Sequence, residues 1–325
     1  MMLASIVLAA FAANLVCAAE PAPLTLESKI PLGQVMGRID HLAYDPARQL
    51  LYVAELGNDT IAVVDIKGQR VVRTVSGFDG PQGIAYEPGT DAIYVANGGD
   101  GTVQIFSGSD FALLAKLALG EDADNVRVDR ESHRVYVGYG GGAIAIIDAM
   151  SRKLVGRIPL QGHPEGFQLD PEGDLIFVNV PDARQIALVS REKRKQVATW
   201  TTGRLRANYP LTLDSANRQA IAVFRQPARV QSYEMPTGRE QAGVDGCSDA
   251  DDVFVDARRR RAYVICGQGV VDTLEISAGK FSRIDRFATS EGARTGLWVP
   301  ELDRLLVAIR SARGEPAAIW ILRPL

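Results

Sequence analysis

The stretch "HLAYDPARQLLYVAELGNDTIAVVDIKGQRVVRTVSG", residues 41–77, contains four short apolar runs in succession. Each run is rich in Val, Ile, Leu or Tyr, and residues such as Gly, Asn, Asp and Pro separate them. Short runs of this kind between turn residues predict β-strands rather than helices. Four strands in a unit of about 42 residues is the size of one blade of a β-propeller.

The same unit repeats along the chain. Its first strand recurs as "GIAYEP" (83–88), "NVRVDR" (125–130), "GFQLDP" (166–171), "PLTLDS" (210–215), "DVFVDA" (252–257) and "GLWVPE" (296–301). The marker position near the end of that strand is Asp45, Glu87, Asp129, Asp170, Asp214, Asp256 and Pro300, at spacings of 41 to 44 residues. The sequence therefore predicts an all-β fold, a seven-bladed propeller with four-stranded blades.

The seventh unit stops at its third strand, "AIWILRPL" (318–325). An unpaired sheet edge there would be open to aggregation. The segment "ESKIPLG" (27–33) reads like "VGRIPLQ" (155–161), the fourth strand of the third unit. We therefore expect the N-terminal strand to complete the last blade, and residues 20–325 to form a single domain.

Composition and the N-terminal segment indicate the class of protein and its location. With 325 residues, 46% hydrophobic residues, 23% charged residues and a net charge of -3, the chain is an ordinary globular protein rather than a disordered or collagen-like one. Residues 1–19 carry no charge and end in small residues, which predicts a signal peptide and a periplasmic location. The alternative is a membrane anchor, but the run is shorter than the roughly 20 residues of a span, so we expect no stable membrane insertion after cleavage.

Two cysteines, Cys247 and Cys266, follow the predicted leader and flank one predicted hairpin. An exported chain meets an oxidising compartment, which permits a disulfide. The sequence leaves both a local disulfide and two unpaired thiols open.

The segments "LYVAELGNDTIAVVDIKGQRVVRTV" (51–75) and "IYVANGGDGTVQIF" (93–106) resemble the repeats of the YVTN family. The resemblance covers residues 24–325, is strongest in units one to three, and is weakest in units five and seven. It implies a seven-bladed propeller of the exported bacterial type. It implies little about function, because folds of this kind carry many activities.

Polar residues occupy one equivalent position in every unit, five residues before the marker. In a propeller the first strands line the central channel, so these residues should form a ring at its mouth, which we call the mouth ring: Asp40, Gln82, Asp124, Glu165, Tyr209, Asp251 and Thr295. Converging carboxylates raise one another's pKa values unless a cation or hydrogen bonds offset the repulsion. With their neighbours they give the predicted ligand-binding set: Asp40, His41, Gln82, Asp124, Asn125, His163, Glu165, Asn208, Tyr209, Asp251, Asp252 and Arg294. Further charged neighbours are Arg38, Asp122, Arg206 and Asp249.

Three interpretations of this mouth stay open. In the first, the polar side chains pair with the arginines and bond the amides of adjacent blades, and so hold the ring together. In the second, the mouth binds a small ligand or a metal. No cofactor is certain, but the oxygen ligands Asp124, Asn125, Glu165 and Asp251 would suit a divalent cation such as calcium, whereas zinc could draw only on His41 and His163.

The third interpretation is catalysis. Propeller lactonases of the gluconolactonase type resemble this pattern in placing Glu, Asn and Asp ligands of a divalent metal at the channel entrance, where the metal activates water. That resemblance implies metal binding by Glu165, Asn125, Asn208 and Asp251, and proton transfer by Asp124 or His41. It matches residue types only.

Basic residues elsewhere give weaker signals. The predicted loops on the mouth face carry arginines that either steer an anionic ligand or are simply solvated: Arg184, Arg225, Arg229, Arg310 and Arg313. The runs "REKRK" (191–195) and "ARRRRA" (257–262) lack interleaved aromatic residues, so we do not expect nucleic-acid binding. The sequence favours a monomeric periplasmic module that binds a small molecule or a protein, with a divalent-metal-dependent lactonase or esterase as the alternative. It does not decide whether the protein is an enzyme.

Overall fold

The computed structural model describes residues 22–277, 279–312 and 314–325. These residues form seven four-stranded antiparallel sheets. The first strands of successive sheets contact one another around the whole set, including those of the first and the last sheet. The seven sheets therefore close into a ring, and the predicted seven-bladed propeller is confirmed.

The strands of the blades follow the sequence repeat closely. After β1 (Leu24–Gly33), blade 1 contains β2 (Leu42–Asp45), β3 (Leu50–Glu55), β4 (Thr60–Asp65) and β5 (Arg70–Ser76), and blade 2 contains β6 (Pro81–Glu87), β7 (Ala92–Asn97), β8 (Thr102–Ser107) and β9 (Leu113–Ala118). Blade 3 contains β10 (Ala123–Asp129), β11 (Arg134–Tyr139), β12 (Ala143–Asp148) and β13 (Lys153–Pro159), and blade 4 contains β14 (Phe167–Leu169), β15 (Leu175–Val180), β16 (Gln185–Ser190) and β17 (Lys195–Thr201).

The remaining blades have the same construction. Blade 5 contains β18 (Arg206–Asp214), β19 (Gln219–Gln226), β20 (Ala228–Glu234) and β21 (Glu240–Asp245), and blade 6 contains β22 (Ala250–Asp256), β23 (Arg261–Cys266), β24 (Val270–Ser277) and β25 (Lys280–Ala288). Blade 7 contains β26 (Gly296–Val299), β27 (Arg304–Ile309) and β28 (Ala317–Pro324). Two 3₁₀ turns, Leu56–Asn58 and Ser215–Asn217, are the helical elements of the described residues.

The N-terminal strand completes the last blade, as predicted. The strand order in blade 7 is β26, β27, β28, β1. The pairing of β1 with β28 is antiparallel and runs from Leu24 opposite Pro324 to Gly33 opposite Ala317. The final residue is tied in as well, since the Leu325 amide donates to the Pro23 carbonyl at 3.0 Å. The two ends of the chain thus close the ring with backbone hydrogen bonds.

The core lies between neighbouring blades. The second and third strands of each blade are buried on both faces, which is why runs such as "LLYVA" are continuously apolar. Between blades 1 and 2, for example, Tyr52 and Val63 pack in one cluster with Ile93 and Val95. The fourth strands lie at the rim and keep exposed apolar side chains such as Val72 and Leu113. Each blade thus buries its apolar faces against its neighbours.

The acidic marker of the repeat is a turn residue. Asp45 accepts hydrogen bonds from the amides of Ala47 and Arg48 through Oδ1, at 2.9 and 3.1 Å. Arg48 then joins two blades, because it pairs with Asp45 and with Asp91 of blade 2, both at 2.7 Å. Other markers that cap the following turn in this way include Glu87, Asp129, Asp170, Asp214 and Asp256. The recurring acid therefore stabilises the end of the first strand, away from the mouth, in blades 1 to 6.

A disulfide links the loop before blade 6 to the second strand of that blade. Cys247 and Cys266 form a disulfide, with their Cα atoms 6.0 Å apart, which decides between the two alternatives that the sequence left open. The predicted leader, residues 1–19, lies outside the described residues. In the described part of the chain, no helix has the length and apolar character needed to cross a bilayer.

Candidate functional site at the mouth of the central channel

The first strands bring most of the predicted residues to one cavity. Five members of the mouth ring line a polar cavity of about 260 Å³: Gln82, Asp124, Glu165, Tyr209 and Asp251. The same cavity is lined by Arg38, Asp122, His163, Arg225 and Arg294. The other two ring members are buried instead, since Asp40 is 0% exposed and Thr295 1% exposed. Thr295 donates to the Ile39 carbonyl at 3.2 Å and so ties blade 7 to blade 1.

Local irregularities of the first strands position these side chains. The pairing register shifts across the ring position in four blades, between Pro81 and Ile84, Ala123 and Val126, Asn208 and Leu211, and Ala250 and Asp252. Bulges of this kind re-aim side chains and are common beside functional sites.

Glycines also allow neighbouring first strands to approach closely at the ring. A Cβ atom on Gly83 would lie 2.0 Å from the Asp124 carbonyl, and one on Gly166 would lie 2.5 Å from the Tyr209 carbonyl. A side chain at either position would therefore displace the backbone that carries a mouth residue.

Asp251 contacts three arginines. Its Oδ1 lies 2.8 Å from Nη2 of Arg225, and its Oδ2 lies 3.5 Å from Nε of Arg294 and 3.7 Å from Nη2 of Arg38. Burial and the charge of Asp40 raise the pKa of Asp251, while the arginines oppose that rise. This carboxylate is therefore committed to ion pairs that join blade 6 to blade 5 and to the segments that lead into blades 7 and 1.

Asp40 and His41 form a second ion pair just behind the mouth. Nδ1 of His41 lies 2.8 Å from Oδ1 of Asp40, and Nη2 of Arg38 lies 2.8 Å from Oδ2. Burial opposes ionisation of Asp40, but the bond from His41 and the charge of Arg38 hold its pKa below the usual range. Burial alone would lower the pKa of His41, yet the partner Asp40 raises it to about 10. His41 is thus held as a cation, a state in which it neither accepts a proton nor binds a metal.

Asp124 and Glu165 differ from these carboxylates. Among the described residues neither has a cationic partner at ion-pair distance or a side-chain hydrogen bond, and Oδ1 of Asp124 is buried without any partner. Burial raises the pKa of Asp124 to about 6. Burial and then the charges of Asp124 and Asp251 raise the pKa of Glu165 to about 8. At neutral pH Asp124 is therefore ionised and Glu165 protonated, which is the pairing that general acid–base catalysis requires.

Other predicted residues hold the ring together. Asn208 is buried and donates to Oδ1 of Asn179 at 2.9 Å and to the Gln185 carbonyl at 3.1 Å, and it does not line the cavity. Asp252 accepts from the Gly296 amide of blade 7 at 2.8 Å, and burial raises its pKa to about 7. These contacts agree with the first interpretation, in which polar side chains of the mouth bond adjacent blades and hold the ring together.

The remaining predicted residues contact their neighbours at or below the mouth. Asn125 accepts from Nη2 of Arg127 at 3.2 Å in the narrow part of the channel below the mouth. Gln82 donates to Oδ1 of Asp122 at 3.0 Å, and Nδ1 of His163 lies 2.7 Å from the Gly140 carbonyl. Gln82 and His163 therefore remain at the cavity wall, whereas Asn125 lies deeper.

Arginines engage two of the four residues predicted to hold a metal. Asp251 is occupied by arginines, and the Oδ1 atom of Asn125 is occupied by Arg127. Within the described ranges, no group of three or more His, Cys, Asp and Glu side chains is placed to surround one ion. Calcium binding stays a prediction.

Three cavity residues lie outside the predicted ligand-binding set: Arg38 and Asp122, predicted only as charged neighbours, and Arg225, predicted only as a loop arginine. Arg225 comes from the end of a second strand rather than from the ring position, and its guanidinium lies 4.0 Å from the ring centroid of Tyr209. It is thus a partner of Tyr209 and Asp251 rather than a solvated loop charge. The reverse holds for Arg206, which is exposed and does not line the cavity. Of the other loop arginines, Arg229 pairs with Asp245 at 3.3 Å, and Arg313 lies outside the described residues.

Comparison with known protein families agrees with this architecture. Residues 33–214, more than half of the chain, match the family described as "Lactonase, 7-bladed beta-propeller". The chain belongs to this family. The matched segment contains both unpartnered carboxyl groups, Asp124 and Glu165. No curated protein matches the sequence of this member of the lactonase propeller family.

Solved structures resemble this lactonase-family propeller in fold. A chain of a structure described as "Crystal Structure of Mitotic Checkpoint Complex" superposes with a TM-score of 0.80 at 14% identity, over 99% of both chains. A chain of "Kuenenia stuttgartiensis Hydrazine Synthase" superposes with a TM-score of 0.75 at 14% identity, over 85% of this chain and 94% of that one. Identities this low show the shared propeller fold and nothing about activity.

Proposed function

We propose that the mouth is the active site of a hydrolase that opens a lactone or an ester, with Asp124 as general base and Glu165 as general acid. The observation that carries this proposal is that these two carboxyl groups, alone among the mouth-ring acids of the described residues, lack a cationic partner. Membership of the lactonase propeller family supports the reaction class.

The proposed reaction needs two proton transfers. Asp124 as a carboxylate takes a proton from a water molecule, whose oxygen bonds to the carbonyl carbon. The carbon–oxygen bond of the ring or ester then breaks, and Glu165 gives its proton to the leaving oxygen. The product is a hydroxy acid, or an acid and an alcohol. Transfer of one proton from Asp124 to Glu165 restores the starting state.

Cations at the mouth would stabilise the negative charge that develops on the carbonyl oxygen. Arg38 fits this role because its side chain is 38% exposed and lines the cavity together with both carboxyl groups. Asp40 pairs with this guanidinium at 2.8 Å and holds it in position, so the guanidinium does not need to reorganise during the reaction. No step is routed through a metal, since arginines engage Asp251 and Asn125, two of the four predicted ligands.

The proposal is tested by turnover of a substrate panel. The purified protein is assayed with glucono-δ-lactone, γ-butyrolactone and p-nitrophenyl acetate. We expect the variants Glu165→Gln and Asp124→Asn each to lower kcat by roughly 10²- to 10⁴-fold, the usual contribution of a general acid or base. Asp122→Asn, a carboxyl group at the same mouth that bonds Gln82, is the matched control and should stay within a few-fold. Equal turnover in all four proteins would refute the assignment.

A second candidate function is binding without turnover, by a periplasmic module that takes a small molecule or a protein. The feature that favours it is the set of ion pairs around Asp251, which neutralises much of the charge at the mouth without any substrate. Saturable binding of a periplasmic small molecule, with no hydrolysis by the wild-type protein, would favour this candidate. Cell fractionation tests the periplasmic location that the leader predicts.

A further inference from the structure

The central channel has a second cavity at the end opposite the mouth, which we call the lower chamber. It has a volume of about 470 Å³ and extends to the turn residues Pro46, Arg130 and Glu301 at the far face. Seven of its lining residues are the ones two positions before each marker: Ala43, Ala85, Arg127, Gln168, Thr212, Phe254 and Trp298. A narrow segment of only about 40 Å³ separates it from the mouth cavity. Waters fit there, but a small organic ligand does not.

Arg127 lies between the narrow segment and the lower chamber, and it lines both. Its guanidinium donates to the Val126 carbonyl at 2.8 Å and to Oδ1 of Asn125 at 3.2 Å. In the described part of the chain it has no carboxylate at ion-pair distance, in contrast to Arg225 and Arg294 at the mouth. Burial lowers its pKa, and the nearby charges of Asp252 and Asp124 oppose that effect. A largely enclosed guanidinium without a bonded anion favours the binding of one.

Asp252 lies in the chamber wall, and its charge acts on Arg127, but this acid also bonds a backbone amide. Oδ2 of Asp252 accepts the Gly296 amide at 2.8 Å. Burial raises the pKa of Asp252 to about 7, so it carries a full negative charge only above neutral pH. Near neutral pH Asp252 therefore offsets only part of the charge of Arg127, and its protonated form can donate a hydrogen bond to an anion bound beside it.

The opposite wall of the lower chamber is aromatic. Phe254 and Trp298 come from blades 6 and 7, across the seven-membered ring from Arg127 in blade 3, and both are partly exposed to the chamber. Ala43 and Ala85 stand at the equivalent position in blades 1 and 2, and their short side chains leave space open. The chamber thus has a cation on one side and an apolar surface on the other. Its volume is within the range of small-molecule sites.

We propose that the lower chamber is a second ligand site, which binds a small monocarboxylate with an aromatic or branched aliphatic body. The carboxylate pairs with the guanidinium of Arg127, and the apolar body lies against Phe254 and Trp298. Arg130 also lines the chamber but is exposed at its outer end, so Arg127 is the enclosed guanidinium. One enclosed guanidinium suits one negative charge better than a multiply charged phosphate. This site is separate from the mouth and does not depend on the hydrolase assignment.

The test compares an acid with its neutral amide. The full-length protein is titrated with 4-phenylbutyrate and with 4-phenylbutyramide, by calorimetry and by the fluorescence of Trp298, with Trp298→Phe identifying that signal among the three tryptophans. We expect the acid to bind at least tenfold more tightly than the amide. The variant Arg127→Gln should remove that preference. Ala85→Leu, which fills the chamber without touching the charge, should weaken binding at least tenfold.

Each alternative result overturns the proposal. Equal affinity for acid and amide would show that Arg127 does not recognise the carboxylate, and failure of 4-phenylbutyrate to bind at millimolar concentration would show that the chamber is not a site for this class. Loss of binding in Glu165→Gln, a change at the mouth, would place the acid at the wrong end of the channel. If Arg127→Gln does not fold, as judged by circular dichroism, Ala85→Leu and the amide comparison still decide the question.

Discussion

Arg225 of blade 5 and Asp251 of blade 6 form an ion pair across the boundary between their blades, with Nη2 and Oδ1 2.8 Å apart. Asp124 occupies the equivalent ring position in blade 3, yet its Oδ1 is buried without a partner. Two aspartates that the repeat makes equivalent therefore have different surroundings. The first pairs with Arg225 of the neighbouring blade, and the second has no ion-pair partner among the described residues.

This difference predicts stability changes of opposite sign. Asp251→Asn leaves the three arginines around it without their shared anion, so the free energy of unfolding should fall by about 3 kcal/mol. Asp124→Asn removes a buried, unpartnered charge and should raise the free energy of unfolding at pH 8. Urea denaturation monitored by circular dichroism measures both. The control is Asp122→Asn, which we expect to change stability by less than about 0.5 kcal/mol. If both buried variants lost stability equally, Asp124 would have a structural role after all.

The pH profile of the proposed hydrolysis should be bell-shaped. Activity requires Asp124 ionised, with a pKa of about 6, and Glu165 protonated, with a pKa of about 8. We therefore expect kcat/KM to be highest between these values and to fall about tenfold per pH unit on either side. Initial rates from pH 4 to pH 10 test this. Glu165→Gln should abolish the alkaline limb in whatever activity remains, and an unchanged alkaline limb would mean that another group is the acid.

Stability should also depend on Glu165. Between its ordinary pKa of 4.5 and the value of about 8 in the folded protein, the folded state holds a proton that the unfolded chain has released. The free energy of unfolding should therefore fall as the pH rises through this window. Glu165→Gln cannot lose that proton, so its melting temperature at pH 9 should exceed that of the wild type by about 2 to 4 °C. Differential scanning calorimetry at pH 5 and pH 9 measures the change, and no difference at pH 9 would contradict it.

The disulfide should stabilise the blade that carries Asp251. Cys247 and Cys266 are 19 residues apart, and closing a loop of that size stabilises a protein by about 3 kcal/mol in the chain-entropy description. We expect Cys247→Ser combined with Cys266→Ser to lower the free energy of unfolding by about that amount. A reducing agent should shift the wild type in the same direction and leave the double variant unchanged. A shift of the double variant by the reducing agent would exclude this bond as the cause.

Removal of divalent metal should have little effect on the melting temperature of the protein. A cation bound to the native state would raise the melting temperature in proportion to its occupancy. Because arginines engage Asp251 and Asn125, two of the four predicted ligands, we expect EDTA and 1 mM calcium to give melting temperatures within about 1 °C of each other. Elemental analysis of the purified protein is the direct measurement. A stoichiometric ion whose removal stops turnover would establish the metal-dependent alternative.

The repeat made much of the mouth predictable, since a position five residues before each marker falls at the same place in every blade. Symmetry placed Asp124, Glu165 and Asp251 at one cavity because equivalent positions of a closed ring face one axis. It could not show that Arg225 reaches the mouth from a second strand, nor that Asp40 turns behind Arg38 and His41. Long side chains contact residues of neighbouring blades, and the repeat pattern does not indicate which residues those are.

Local sequence alone determined the seven blades and the closure by β1, because strand periodicity, turn residues and an unpaired sheet edge act over short distances or at the chain ends. Only the tertiary structure decided which carboxylates are neutralised and which are not. Asp124 and Asp251 are preceded by similar residues, but their pKa values and their freedom to react depend on the burial and the cations that adjacent blades bring within a few ångströms, and those distances exist only in the closed ring.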